Sequence, residues 1–202
     1  MRITRSMALA LLCAAATNTC AAAFTDGSFE SLALADGQQR MVDNASPKST
    51  LDGWTSSGRV VVRDSLATDP RPATDGDNLV FMNNGGSLSQ TFDTVAGLVY
   101  TVSFDYSKNK GVASVLVDGS VAEMLGGGVV QGMQAAPGFA FVASGAQTTL
   151  SFVAQMAQSN GGIGRLYLDD VVVAAPVPEN GGAAMLSAGV LLLGLLFRRR
   201  IG

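Results

Sequence analysis

The chain contains no histidine, and its two cysteines, Cys13 and Cys20, both lie close to the N-terminus. Serine and cysteine triads therefore lose their usual base, and a zinc site loses its usual nitrogen and sulfur ligands. Beyond residue 20 there is no thiol nucleophile and no disulfide. Charged residues make up 14% of the chain and aromatics 6%, with a single tryptophan, Trp54. Glutamate is scarcer still: between residues 24 and 175 there are two, Glu30 and Glu123, against thirteen aspartates. A glycosidase needs only two carboxylates at a suitable separation, so composition leaves that class open. Glu123 has no plausible partner, however, and the sequence points to a protein that is not an enzyme.

What is present begins with acid. Over residues 24–175, eight Lys and Arg stand against fifteen Asp and Glu, a formal charge of about −7, where the whole chain carries −3. Such a surface repels nucleic acid and suits divalent cations. Short carboxylates of this kind favour turns and calcium loops over helix surfaces.

Both ends of the chain read as labels. Arg2 and Arg5 precede an apolar run from Met7 to Ala16, and Ala21-Ala22-Ala23 offers a small-residue cleavage site. That is the layout of a secretory signal peptide over residues 1–23, with the mature chain starting at Phe24. A lipoprotein reading of Cys20 fails because Thr17-Asn18-Thr19 lacks an aliphatic residue three places before it. At the other end, Pro178-Glu179-Asn180 leads into an apolar run from Gly181 to Phe197 and then Arg198-Arg199-Arg200. About seventeen residues rising 1.5 Å each reach most of the way across a hydrocarbon core of roughly 30 Å. The arginines resist translocation and leave everything before Pro178 outside.

Residues 24–175 form one domain of comfortable size for a core. Tyr100, Val102, Phe104 and Tyr106 alternate with Thr101, Ser103, Asp105 and Ser107, a period of two that predicts a buried aromatic face. Leu150, Phe152 and Ala154 alternate in the same way. Asp118-Gly119 between apolar runs predicts a tight hairpin. Asn83 to Gly86 reads as another, joining Leu79–Met82 to Leu88–Phe92. Residues 36–50 read as a long loop and Gly126 to Gly128 as a glycine-rich loop, with Phe139–Ala143 and Arg165–Val173 as late strands. No window sustains a 3.6 period, so nine or ten short strands predict an all-β antiparallel sandwich.

The tail resembles the PEP-CTERM sorting signal, with Val177, Pro178 and Glu179 as the motif and Arg198, Arg199 and Arg200 as the membrane stop. The resemblance implies recognition by an exosortase-type protease as partner, transient residence in the inner membrane of a Gram-negative bacterium, and display on the outer envelope or in the extracellular matrix. Asn180 departs from the usual second proline, and Gly181-Gly182 leaves room for the related GlyGly-CTERM signal. The domain resembles the galactose-binding-like jelly rolls, among them choice-of-anchor domains, plant cell-wall modules and carbohydrate-binding modules. The residues that carry the likeness are Gly27-Ser28-Phe29-Glu30, Trp54, Gly86 to Phe92, Tyr100 to Phe104 and Leu168-Asp169-Asp170-Val171.

That second resemblance implies a structural calcium ion between the first and last strands, with Glu30 and Asp170 as side-chain ligands. Asp75-Gly76-Asp77-Asn78 lacks the remaining acids of an EF-hand and reads as a turn. The resemblance also implies binding of extracellular polysaccharide, which needs aromatic faces and flanking amides. Trp54 is the obvious platform, though packing at the sandwich edge suits it better. Tyr167 and Asn83, with Asn84, Gln155, Gln158 and Asn160, are the loop candidates.

Overall fold

The computed structural model describes residues 23–42, 50–109, 111–155 and 164–175. The predicted signal peptide up to residue 22, Gln158 and Asn160, the motif Val177-Pro178-Glu179, the apolar run and Arg198 to Arg200 lie outside the described residues. Among the described residues there are twelve strands: β1 (Gln39–Val42), β2 (Trp54–Ser57), β3 (Val60–Asp64), β4 (Asn78–Asn83), β5 (Ser87–Asp93), β6 (Val99–Lys108), β7 (Val112–Val117), β8 (Ser120–Leu125), β9 (Val130–Ala135), β10 (Phe139–Val142), β11 (Gln147–Gln155) and β12 (Arg165–Ala174). No helix among them is long and apolar enough to cross a membrane.

All the pairings are antiparallel and fall into two sheets. The larger runs β1-β3-β4-β12-β6-β10, with β9 also on β6, and the smaller runs β2-β5-β11-β7-β8. The predicted period of two holds in both. Tyr100, Val102, Phe104 and Tyr106 of β6 are buried, as are Leu150, Phe152 and Ala154 of β11. Side chains at such positions share one face of a pleated strand. One apolar cluster therefore joins the two sheets, with Val60, Val80, Val102 and Leu168 from the larger meeting Leu88, Phe92, Val115 and Phe152 from the smaller. The domain is a β-sandwich.

Three local expectations fare differently. Asp118 and Gly119 both take positive φ, 49° and 79°, and join β7 to β8 as a tight hairpin. The Asn83 to Gly86 turn makes no hairpin, because β4 and β5 belong to different sheets. The chain crosses between them there, tied down by Gly85 N–H to Ala154 O and Ala154 N–H to Gly86 O. Strand β1 occupies a stretch that reads as loop, and β9 one for which the sequence predicts no strand. Each is held by backbone pairing to β3 or β6, while of β1 only Val42 is buried, so neither shows an alternation of side chains.

Strand β12 lies between β4 and β6, and the opening run that carries Glu30 is not a strand. The opening segment meets β12 instead, as a turn. Val171 N–H donates to Gly27 O, and a Cβ on Gly27 would sit 1.9 Å from Val171 O, so only glycine fits there. The contact falls where β12 bulges between Asp169 and Val172, with Asp170 at φ 47°.

Candidate functional site

The two carboxylates expected to share a calcium ion are engaged elsewhere. Glu30 Oε1 accepts the backbone N–H groups of Asp77 at 2.9 Å and Asn78 at 2.6 Å. Gly76 takes φ +72° beneath it, and a Cβ there would lie 2.4 Å from that oxygen. On the other side of the same turn it is Asp169, fully buried, that does the holding. Its Oδ2 accepts from Thr74 N–H, Thr74 Oγ1 and Asp75 N–H, and its Oδ1 from Asp170 N–H. Burial nevertheless pushes the Asp169 carboxyl up to about 6. Asp170, on the bulge, is raised by desolvation first and then by the charges of Asp105 and Asp75.

Glu30 and Asp169 thus clamp the 74–78 turn through backbone amides. Among the described residues no group of three or more acids could hold a metal ion. The calcium expectation is corrected at Glu30, whose Oε1 already accepts two protein N–H groups, and Asp169 rather than Asp170 is the buried member of the acidic pair. A carboxylate holding several backbone N–H bonds has little need of a cation.

Trp54 is 4% exposed and offers no face to a sugar. Its ring lies 5.5 Å from Phe24 and Phe29 and 6.3 Å from Phe152, and its indole N–H donates to Asp26 O at 2.9 Å. The opening turn wraps over it, so this residue closes the core, and the platform assignment is withdrawn. Tyr167 is corrected as well: it lies within β12, not in a loop, and is 6% exposed. Buried rings cannot stack on a ligand without moving their covers.

What covers Tyr167 is informative. The outer face of the larger sheet carries its own small cluster of Val61, Leu79, Phe81 and Tyr167. Register sets Val61, Phe81, Tyr167 and Ser107 in one row across β3, β4, β12 and β6. The Arg71 guanidinium lies 4.7 Å above Tyr167, donating through Nε to Ser107 Oγ at 2.7 Å and through Nη2 to Asn109 Oδ1 at 3.1 Å. The Arg165 guanidinium lies 5.0 Å above Phe81, whose ring is 5.7 Å from that of Tyr167. Two cations thus roof two aromatic rings, an arrangement worth about 0.5–2 kcal/mol for each pair.

The neighbouring row is polar throughout. Asn83 of β4 stands opposite Arg165 of β12. Backbone bonds from Asn83 N–H to Arg59 O and from Asn109 N–H to Arg165 O extend the row by one position on each side. Arg59, Asn83, Arg165 and Asn109 therefore span three strand spacings, about 14 Å. Asn83 Oδ1 and Arg165 Nε are buried atoms with no hydrogen-bond partner. An unsatisfied buried polar atom costs about 1–3 kcal/mol, so two on facing residues call for a physical reason. Asn83 was foreseen as a polar candidate, whereas Arg59, Arg71 and Arg165 were not. Only the register of β4 and β12 brings them together, although Arg165 opening an apolar strand was a readable signal.

Beside the 65–77 loop there is a cleft of about 150 Å³ lined by Ser65, Pro72, Ala73, Gly76 and Asp77. It falls short of the roughly 300–1,000 Å³ of enclosed small-molecule pockets. An open sheet face is the better-developed surface.

A family model described as a protein of unknown function (DUF642) matches residues 22–174. The chain belongs to the DUF642 family. No curated protein matches it. Among solved structures, the DUF642 sandwich is similar to the enzymatically active domain of tailspike protein 4 from bacteriophage CBA120, at 10% identity and a TM-score of 0.47 over 76% of this chain. The chain spans 21% of that tailspike. It is also similar to TmCBM61 in complex with β-1,4-galactotriose, at 21% identity and a TM-score of 0.43, covering 61% of this chain and 89% of that one. A carbohydrate-binding module, CBM36, in complex with calcium and xylotriose gives 10% identity and 0.38, covering 68% and 99%. The likeness to the two carbohydrate-binding modules is one of curled antiparallel sheets alone.

Proposed function

We propose that this DUF642 protein is exported and associates with extracellular polysaccharide without acting on it. On this reading an exosortase-type protease processes it near Val177-Pro178-Glu179, after a transient stay in the inner membrane on the Gly181 to Phe197 run, and it reaches the outer envelope or matrix. One observation carries the binding: the unpartnered acceptor Asn83 Oδ1 and the unpartnered donor Arg165 Nε stand on facing residues of an open sheet face. A sugar hydroxyl both donates and accepts, so a modest rotation of either side chain onto it would satisfy both groups. The row Arg59, Asn83, Arg165 and Asn109, laid across four strands, also suits an extended chain better than a small metabolite.

Affinity electrophoresis of the purified protein through gels containing soluble polysaccharides tests the binding, and retardation by at least one of them is expected. Release of reducing ends from a retarding polysaccharide would replace the binding role with a hydrolytic one. For the export part, mass spectrometry of protein recovered from medium and envelope should find the chain clipped near Pro178. An intact tail in the inner membrane would remove that part and leave the binding reading standing.

A further inference from the structure

We infer that the polysaccharide bound on the larger sheet is acidic, its carboxylate or sulfate groups taken by the row Arg59, Asn83, Arg165 and Asn109 together with Arg71. This rests on the polysaccharide reading and narrows it to a charge class. The domain is acidic overall, yet this part of its surface is cationic. Among the described residues one salt bridge is formed, between Arg63 and Asp69, and no carboxylate lies within ion-pair distance of Arg59, Arg71 or Arg165. Unpaired guanidinium groups in such a setting stand out, because carboxylates are plentiful and none is brought to them.

The acids of this face lie further along the strands. Asp105 and Asp169 face each other across β6 and β12, and Asp169 is four residues from Arg165. Four residues of strand cover about 13 Å. The Debye length at physiological ionic strength is about 8 Å, so a ligand on the arginine row is largely shielded from those acids. Two of the guanidinium groups are also held in place. Arg71 is fixed by Ser107, Asn109 and the Tyr167 ring, and Arg165 lies on Phe81. A planar fork fixed in this way keeps N–H donors free for a bidentate contact with an anion, and little rotamer entropy is lost on binding. Phe81 and Tyr167, buried beneath the guanidinium groups, hold them in place without themselves facing a ligand. Asn83 and Asn109 flank the arginines as partners for neighbouring hydroxyls.

The probes are alginate, its neutral propylene glycol ester, dextran sulfate and uncharged galactan, each in affinity electrophoresis with the full chain. Retardation by alginate or dextran sulfate, lost on esterification and weakened as salt is raised, is the expected result. Alginate retarding where dextran sulfate does not assigns the anion as carboxylate, and the reverse assigns it as sulfate. Arg165→Met, which keeps the stem over Phe81, should weaken binding about tenfold. Arg59→Ala, at an exposed position, should weaken it about threefold and leave the melting temperature unchanged. If the ester or galactan retards the protein as strongly as the polyanions do, the acidic assignment is overturned and the polysaccharide reading survives. Retardation by none of the four overturns both. Should Arg165→Met not fold, unchanged alginate binding by Arg59→Ala would overturn the assignment of the row.

Discussion

The outer faces of the two sheets have the same pleat, yet they are built from different chemistry: Val61, Phe81, Tyr167 and Ser107 on the larger are buried, whereas Thr55, Ser89, Thr91, Thr149 and Ser151 on the smaller are exposed or half-buried. On the smaller sheet, Thr55 stands opposite Ser89, Ser89 opposite Ser151, and Thr91 opposite Thr149, whose hydroxyls bond to each other at 2.8 Å. Short neutral hydroxyls of this kind satisfy one another or water and ask for nothing else. On the larger sheet, Phe81, Tyr167, Arg71, Arg165 and Asn83 form a roofed aromatic pair beside a cationic row with two unsatisfied atoms. A face that only needs solvation is inexpensive to build, and a face carrying unneutralised arginines and orphaned polar atoms is not. That difference is why the proposed binding falls on the larger sheet.

The largest expected effect tests what the two faces have in common. Phe152→Ala empties the cluster beneath both sheets, where Phe152 is fully buried against Trp54 and Phe104. It should lower stability by about 3–5 kcal/mol in chemical denaturation. A loss below about 1 kcal/mol would show that the sheets do not share a core.

Next comes pH, which acts on the larger sheet. The Asp169 carboxyl lies at about 6 in the fold against an ordinary value of 3.8. Between those two values the folded protein holds a proton that the unfolded chain has released. Its contribution is therefore present below pH 4 and disappears as pH rises through 6, and Asp170 and Asp26, both raised by burial, act in the same direction. Denaturation midpoints should fall by an amount equivalent to about 2–3 kcal/mol from pH 4 to 7. Asp169→Asn should flatten that slope, and an unchanged slope would remove Asp169 as its source.

Smaller effects separate the faces directly. Asn83→Ala removes an unsatisfied acceptor, so its stability should stay within about 1 kcal/mol of the parent. Its polysaccharide retardation should nevertheless fall. The double change Thr91→Val with Thr149→Val on the smaller sheet should shift stability by about 0.5 kcal/mol and leave retardation as it was. Equal losses of binding from both would erase the distinction. Smallest of all, chelation with EDTA should leave the melting temperature in place, since Glu30 and Asp169 already hold backbone amides. A fall of several degrees would restore a structural cation.

Legibility followed the range of each interaction. The β6 and β11 alternations and the Asp118-Gly119 hairpin were readable because their causes act over one or two residues: pleat, burial and a turn that needs positive φ. The Asn83 to Gly86 turn looked the same in sequence and proved to be a crossing between sheets. A turn residue specifies the bend and not the destination of the strand that follows. Lys108 shows the same limit. It continues the inward-facing set of β6 and is fully buried, and only the fold brings the carbonyls of Gly111, Gly127 and Gly128 to its ammonium. Burial pushes that ammonium down from its usual value. Glu30 was singled out from sequence, and its role reversed once the 74–78 turn was seen to lie across it.

By itself, the sequence determined an all-β sandwich, the inward side chains of its central strands, and an acidic body without thiol or imidazole chemistry. Those follow from composition and from a two-residue period, which any extended strand expresses wherever it lies. Only the tertiary structure decided that Trp54 seals the core, that acids clamp a turn, and that Arg59, Arg71 and Arg165 gather on one face. Such groupings are set by strand order and register between residues as far apart as Arg59 and Arg165, and no local pattern encodes which distant strand will lie alongside.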